Sequence, residues 1–354
     1  MVEKNFQAHF MELPRKVVVG ENILSNAGKF CKSLGSFSRM LVVSGPRTWT
    51  VAGRIVYDSL VDVGFNVEYL TVGMNIDEAV KLVEAKISEF NPNIVFAVGG
   101  GRVIDIAKYA SFRRGIPFIS VPTSASHDGI ASPQASLKSV GNIVSVKTHA
   151  PIAIIADVNV ILNSPYKLTA SGCGDIIAKF TAVRDWMLAH NIKNEYYGDY
   201  AANLALMSAK LVAKNVELIR ENSVEGLRVV VEALISCGVA MSIAGSSRPC
   251  SGSEHLFSHA LDILTKNRAL HGEQCGVGTI MMAYLHRINW RKIRSILRKI
   301  GSPVTAEELN IEPEIVVKAL TLAHKINPQR YTILGENGLT EEAAKNLAKN
   351  TGVI

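Results

Sequence analysis

The stretch Ile94-Val95-Phe96-Ala97-Val98-Gly99-Gly100-Gly101-Arg102-Val103-Ile104-Asp105 decides the fold. Its five leading residues are all apolar, as in a parallel strand covered by helices on both faces. Three glycines end the strand, and residues 103–112 then read as a helix. A strand that feeds a helix through glycines lets a ligand approach the backbone closely. The helix start adds unpaired N–H groups and a partial positive charge, which suits a phosphate. The spacing is not Gly-x-Gly-x-x-Gly and the strand is not the first in the chain, so a ligand-free tight turn explains the glycines equally well. Asp105 either contacts a cofactor or favours the helix start electrostatically.

The same alternation extends to both sides. Residues 16–19, 39–43, 67–70 and 117–121 read as strands, and 23–33, 50–63 and 77–90 as helices. Strand–helix–strand order implies parallel strands joined by crossover helices. Residues 136–140 and 143–147 alternate across Gly141-Asn142 as a β-hairpin, and 152–156 adds a last strand. From Pro165 onward helices dominate, among them 176–189, 200–219 and 229–241. The expected architecture is an α/β domain with a Rossmann-like parallel sheet over residues 1–160, followed by an all-α domain over 161–354. The active site is expected in the cleft between them.

Composition agrees. At 48% hydrophobic and a net charge of 38 − 31 = +7, the chain is not a disordered one. Its 27 Gly and 12 Pro in 354 residues exclude a collagen-like chain, and the length allows two cores. The one dense basic run, residues 291–299, carries Ile293, Ile296, Leu297 and Ile300 at helical spacing. It reads as a surface helix with a solvated basic face, with no nucleic-acid role. The five cysteines show no Cys-x-x-Cys spacing, which fits a reducing compartment. No signal-peptide core is found near Met1, and no apolar run approaches the ~20 residues of a membrane helix. A cytoplasmic protein without integral membrane contact is expected.

Two further regions carry chemistry. Pro122-Thr123-Ser124-Ala125-Ser126-His127-Asp128-Gly129-Ile130-Ala131-Ser132-Pro133 lies at the carboxyl end of a parallel strand, where open α/β sheets bind ligands. Its hydroxyls can bond phosphate or ribose without adding charge. Later, Asp175 follows Gly172 and Gly174 near an expected helix start. His255 and His259 share one helix face, and His271 lies beyond a turn. One carboxylate and two imidazoles suit Zn²⁺ with an open coordination position, and they fit iron as well. Cys173 and Cys275 read as buried, unreactive thiols rather than ligands.

In this order, the glycine run with Asp105, the Thr123–Pro133 loop, Gly174-Asp175, His255…His259 and His271-Gly272-Glu273 resemble the iron-type, group III alcohol dehydrogenase superfamily. The loop looks like that of archaeal sn-glycerol-1-phosphate dehydrogenases, and the likeness spans roughly residues 15–335. The resemblance implies that Gly99, Gly100, Gly101, Arg102, Val103, Ile104 and Asp105, with Thr123, Ser124, Ala125 and Ser126, hold NAD(H) or NADP(H). Ser132 would lie near the reactive end of that cofactor. It implies Zn²⁺ on Asp175, His255 and His271, one ion per chain. Asp128 and His259 would be the catalytic, substrate-touching residues, with Asp175 also against the substrate.

The implied reaction is reduction of dihydroxyacetone phosphate to sn-glycerol 1-phosphate, the backbone of archaeal ether lipids. Its alternatives are a polyol dehydrogenase or a dehydroquinate synthase-like cyclase, whose family is expected to carry Glu where this chain has Asp175. The proton would come from His259, Asp128 or a water. Arg248, Arg268 and Arg330 are candidates for the substrate phosphate, and spacing selects none of them. Arg47 would meet a 2′-phosphate on the cofactor or lie idle at the surface. A homo-oligomer is expected.

Overall fold

A computed structural model describes residues 9–73, 75–139, 142–265 and 269–354. The hairpin tip at Gly141 and the candidate cation Arg268 lie outside them. Eight strands are described: β1 Lys16–Gly20, β2 Arg39–Ser44, β3 Asn66–Thr71, β4 Ile94–Gly99, β5 Phe118–Pro122, β6 Gln134–Ser139, β7 Asn142–Lys147 and β8 Ala153–Asp157. Six form one sheet in the order β1-β8-β5-β4-β2-β3, and every pairing in it is parallel. β6 and β7 form the antiparallel hairpin, with Gln134 opposite Lys147.

Side chains alternate across a strand, so a strand buried on both faces shows two interleaved cores. Met40, Val42, Ile94, Phe96 and Val98 pack with Ala27, Val56 and Leu60 from helices Ala27–Lys32 and Arg54–Asp62. Leu41, Val43, Val95 and Ala97 face the other way, onto Val83 and Ile104 from helices Ile76–Phe90 and Gly101–Arg113. A wholly buried side chain such as Phe96 contributes roughly 1.5–3 kcal/mol. The second core continues without a break into the helical half, through Ile176, Leu234, Phe257 and Ile280. The sheet and the helices are therefore fused along one face.

Three expectations change. The expected helix 176–189 is two helices, Tyr166–Ile177 and Lys179–Lys193, with backbone pairing restarting at Ala178. Asp175 thus stands in the last turn of a helix and not near the start of one. The expected helix 200–219 also divides, into Asp199–Lys214 and Val216–Arg220. At Asn215 the side-chain amide donates to the Leu211 carbonyl at 2.8 Å, competing with the helix ladder. Finally, helix Val224–Ala244 is 21 residues long with a mean hydropathy of 1.8, so one apolar run does reach membrane-spanning length. Of that window 72% is buried within the chain, which is the setting of a core helix. Ser223 caps its start by accepting from Gly226 N, and Gly245 at φ +65° ends it.

The basic run forms helix Trp290–Ile300. Ile293, Ile296, Leu297 and Ile300 are buried, while Lys299 pairs with Glu217 and Arg298 with Glu308.

Candidate active site

All six strands of the sheet run in one direction, so their carboxyl ends share one edge. At that edge Gly99 of β4 is registered with Pro122 of β5, which places the glycine run beside the hydroxyl-rich loop. Thr123 N donates to Gly99 O at 3.0 Å, and Ser124 Oγ lies 3.3 Å from where a Gly100 Cβ would stand. None of the three glycines has a left-handed φ, so no tight turn explains them. They are small because neighbours close in: a Cβ on Gly101 would lie 1.8 Å from His127 Nε2. The helix begins at Gly101, two residues earlier than expected, with Gly100 as its N-cap. Beside it, at the end of β2, Ser44 Oγ donates to Val98 O at 2.8 Å. The chain leaves β2 and β4 in opposite directions along the sheet, and such a switch point forms a ligand crevice.

The expected cofactor residues divide by environment. Thr123, Ser124 and Ala125 are buried against the glycine run, and Ser126 is half-buried. Arg102 is exposed at the helix start, Val103 is half-buried, and Ile104 is wholly in the core. Asp105 is buried, and its two oxygens accept from Ser136 N at 3.1 Å and from Lys108 Nζ at 3.3 Å. Lys108, fully buried, also donates to the carbonyls of Gly129 and Gln134. This pair ties the helix after the glycines to both ends of the 129–134 segment. Ser132 is buried, and its hydroxyl donates to Gln134 O at 3.3 Å.

Close backbone contact also builds the other half of the site. A Cβ on Gly272 would lie 1.8 Å from Ser171 O, and one on Gly174 would lie 2.2 Å from Gly272 O. Helices Tyr166–Ile177 and His271–Leu285 therefore touch backbone to backbone, bringing Asp175 beside His271. Gly272→Ala is expected to cost about 2–3 kcal/mol, because neither backbone can yield. Urea melts of the metal-free protein measure it, and an unchanged midpoint would show that the helices can separate at no cost.

Of the expected Asp–His–His set, His255 stands beside each of the other two. His255 Nε2 lies 3.5 Å from Asp175 Oδ1, and the His255 and His271 rings are 5.0 Å apart. His255 Nδ1 lies 2.8 Å from Glu254 Oε1, a buried carboxylate, so Nδ1 carries a proton and Nε2 faces Asp175. The Ser258 hydroxyl donates to Gln274 Oε1 at 2.6 Å. Its oxygen is left to accept from His271 Nδ1 at 3.1 Å, which leaves His271 Nε2 with its lone pair. Nε2 lies 3.5 Å from Cys275 Sγ. Two adjacent imidazoles oriented by buried partners, one with a nitrogen beside a carboxylate, fit a divalent ion. Donor atoms of His255, His271 and Cys275 lie within 4.8 Å of one another.

The electrostatics agree. Burial, reinforced by the His255 charge, holds His271 well below the usual imidazole range, so it is neutral and able to ligate. Burial alone would lower His255 too, but Cys275, Asp175 and Glu254 raise it well above that range in the metal-free protein. Burial raises the Cys275 and Cys173 thiols, and both are wholly buried, as expected of inert cysteines. His259 is half-buried and stacks on His271 at 5.8 Å.

One central residue is absent from the sequence expectation. Lys179, fully buried, donates to Asp128 Oδ2 at 2.8 Å and to Asp175 Oδ1 at 2.7 Å. Asp128 N also donates to Asp175 Oδ2 at 2.9 Å. Asp128, Asp175 and Lys179 thus form one unit joining the hydroxyl-rich loop to the helical half. The only signal in the sequence was a lysine four residues after Asp175.

Comparison with known proteins supplies the class first. Residues 18–165 match the family described as iron-containing alcohol dehydrogenase. Among solved structures, the fold is similar to glycerol dehydrogenase from Schizosaccharomyces pombe, with a TM-score of 0.81 at 20% identity, covering 98% of this chain and 90% of that one. It is also similar to sulfoacetaldehyde reductase from Bifidobacterium kashiwanohense in complex with NAD⁺, at a TM-score of 0.73 and 18% identity, covering 98% and 99%.

Sequence relatives then narrow the class. Glycerol-1-phosphate dehydrogenase [NAD(P)+] of Thermococcus kodakarensis is 54% identical over 348 residues, 98% of this chain and 99% of that protein. The Pyrococcus abyssi protein of the same name is 55% identical over 346 residues, 98% and 100%. The chain belongs to the glycerol-1-phosphate dehydrogenase family of iron-containing alcohol dehydrogenases.

Proposed function

We propose that this enzyme reduces dihydroxyacetone phosphate to sn-glycerol 1-phosphate with NADH or NADPH, supplying the backbone of ether lipids. The reading is carried by the convergence of Asp175, His255 and His271 next to Asp128, in a chain about half identical to glycerol-1-phosphate dehydrogenases over nearly its full length. Residues 1–160 form the dinucleotide-binding domain. Residues 161–354 form the metal- and substrate-binding domain.

A nicotinamide cofactor would supply the hydride, and the N-terminus of helix Gly101–Arg113, the hydroxyls of Thr123, Ser124 and Ser126, and Ser132 would hold it. Asp175, His255 and His271 would hold one zinc ion, which would supply Lewis-acid polarisation of a carbonyl. Asp128, fixed by Lys179, orients the substrate. His259, stacked on His271 and reached by solvent, delivers the proton to the product oxygen. The five buried thiols support a reducing, cytoplasmic setting. Apolar side chains left exposed beside edge strand β1, including Phe10 and Met11, support a homo-oligomer.

The test is oxidation of NADH and NADPH with dihydroxyacetone phosphate, with and without a chelator, followed by chiral analysis of the product. Turnover of free glycerol alone would instead indicate a polyol dehydrogenase. Asp128→Asn is expected to lower kcat on the order of 10²-fold while NAD(P)H affinity holds. An equal loss of cofactor binding would move Asp128 into the cofactor pocket.

A further inference from the structure

We propose that Arg330 receives the phosphate of the substrate. The proposal rests on the function above and names a contact that the motifs left open. Among the described residues, the cations buried around the site have counter-ions within the chain. Lys108 is paired with Asp105, and Lys179 with Asp128 and Asp175. Arg248, another of the three candidates, spends both forks on Glu195: Nε donates to Oε1 at 2.6 Å and Nη2 to Oε2, while Nη1 donates to Tyr331 O at 2.9 Å.

Arg330 differs. Its Nη1 donates to the Ser251 carbonyl and its Nη2 to Ser247 Oγ at 2.7 Å. Among the described residues no carboxylate pairs with it. A guanidinium has five N–H donors, so most of this one's capacity is unspent. Burial and the neighbouring Arg248 lower its pKa to about 10, and it remains a cation at neutral pH. Arg330 is half-buried, and Glu195, Glu254 and Asp185 act on it electrostatically without pairing with it, so its free N–H groups can meet a phosphate oxyanion in paired N–H···O bonds.

Its position is built as well. Ser251 and Gly252 lead directly into helix Ser253–Thr265, whose first turn carries His255. Asp185 fixes both segments at once. Its Oδ2 accepts from Ser253 N and Oγ at 2.7 and 2.6 Å, and its Oδ1 accepts from Ile333 N at 2.7 Å. Glu254, which bonds His255, acts electrostatically on Arg330. The guanidinium is thus tied to the Ser251 carbonyl, four residues before His255.

The experiment uses the full chain and compares Arg330→Gln and Arg330→Lys with the parent enzyme. For Arg330→Gln, the KM for dihydroxyacetone phosphate should rise on the order of 100-fold, with the KM for NAD(P)H unchanged. Competitive inhibition by inorganic phosphate should weaken in parallel. Arg330→Lys keeps the charge without the fork and should lie between the two. If Arg330→Gln does not fold, Arg330→Lys alone decides by the same shift. An unchanged KM with unchanged phosphate inhibition overturns the proposal. So does an equal loss for substrate and cofactor with a lowered melting temperature, which marks Arg330 as a structural tie for the 247–251 loop. Should the parent enzyme fail to reduce dihydroxyacetone phosphate, the proposed function fails separately. Inorganic phosphate binding by calorimetry then still tests Arg330, because phosphate affinity equal in parent and variant overturns it.

Discussion

Replacing His271 with alanine is expected to strip the metal and lower turnover on the order of 10³-fold, the scale of losing metal-assisted charge stabilisation. Gln274 takes the Ser258 proton, so Ser258 accepts from His271 Nδ1, and Nε2 is left as a ligand. Removing the ring leaves Asp175 and His255, and Lys179 already competes for Asp175. Metal per chain should fall to background in elemental analysis, and NADH oxidation should fall with it. Cofactor binding should survive, because the glycine run is a separate part of the chain. Full metal content together with full turnover would remove His271 from the site. A Cys275→Ser companion decides the donor set, since Cys275 Sγ lies near both imidazoles. Burial disfavours its thiolate, so serine should keep the metal while Asp175→Asn loses it. The reverse outcome would make Cys275 the third ligand.

The sheet was legible in the sequence for a definite reason. Strands such as Ile94–Gly99 are apolar on both faces, and the glycines ending them stand out from the helices that follow. Asp175, His255 and His271 were singled out by residue type and by the resemblance to the iron-type alcohol dehydrogenases. What the sequence hid are relations between distant segments. Nothing near residue 178 breaks a helix by composition, so the end of the Asp175 helix could not be seen. Glycines at 172, 174 and 272 suggest flexible turns, yet Gly174 and Gly272 exist for backbone contact across helices and Gly172 for contact with the Ala125 carbonyl of the loop. Lys179 looked like one of many lysines. Its importance depends on Asp128, 51 positions away, arriving within 2.8 Å. Of the three candidate arginines, Arg248 is already spent on Glu195, Arg268 lies outside the described residues, and Arg330 is the one proposed.

Lys179→Met is expected to destabilise the metal-free protein by about 3–5 kcal/mol, because it leaves two facing carboxylates without their buried cation. Burial by itself would lower the Lys179 pKa, but Asp128 and Asp175 overcome it and hold it well above the ordinary 10.5. A raised pKa means that the lysine's contribution is fully present below the unfolded value and fades as pH climbs through the folded one. Asp175 has the opposite sign. Burial opposes its charge, yet Lys179 and then His255 bring it well below 3.8, so its contribution is present above that value and fades as pH falls through the depressed one. The deficit of the variant should therefore be full between the unfolded values of 3.8 and 10.5 and should shrink only beyond them. Urea melts with chelator across that range measure it, and a variant as stable as the parent at neutral pH would show that the carboxylates do not need the ammonium. Added zinc should return part of the loss, because a dication on Asp175, His255 and His271 neutralises one of the two carboxylates that Lys179 serves. Asp128 would still lack its partner. The zinc-loaded variant should accordingly recover stability further than catalysis, separating the lysine's share in holding the fold from its share in aiming Asp128.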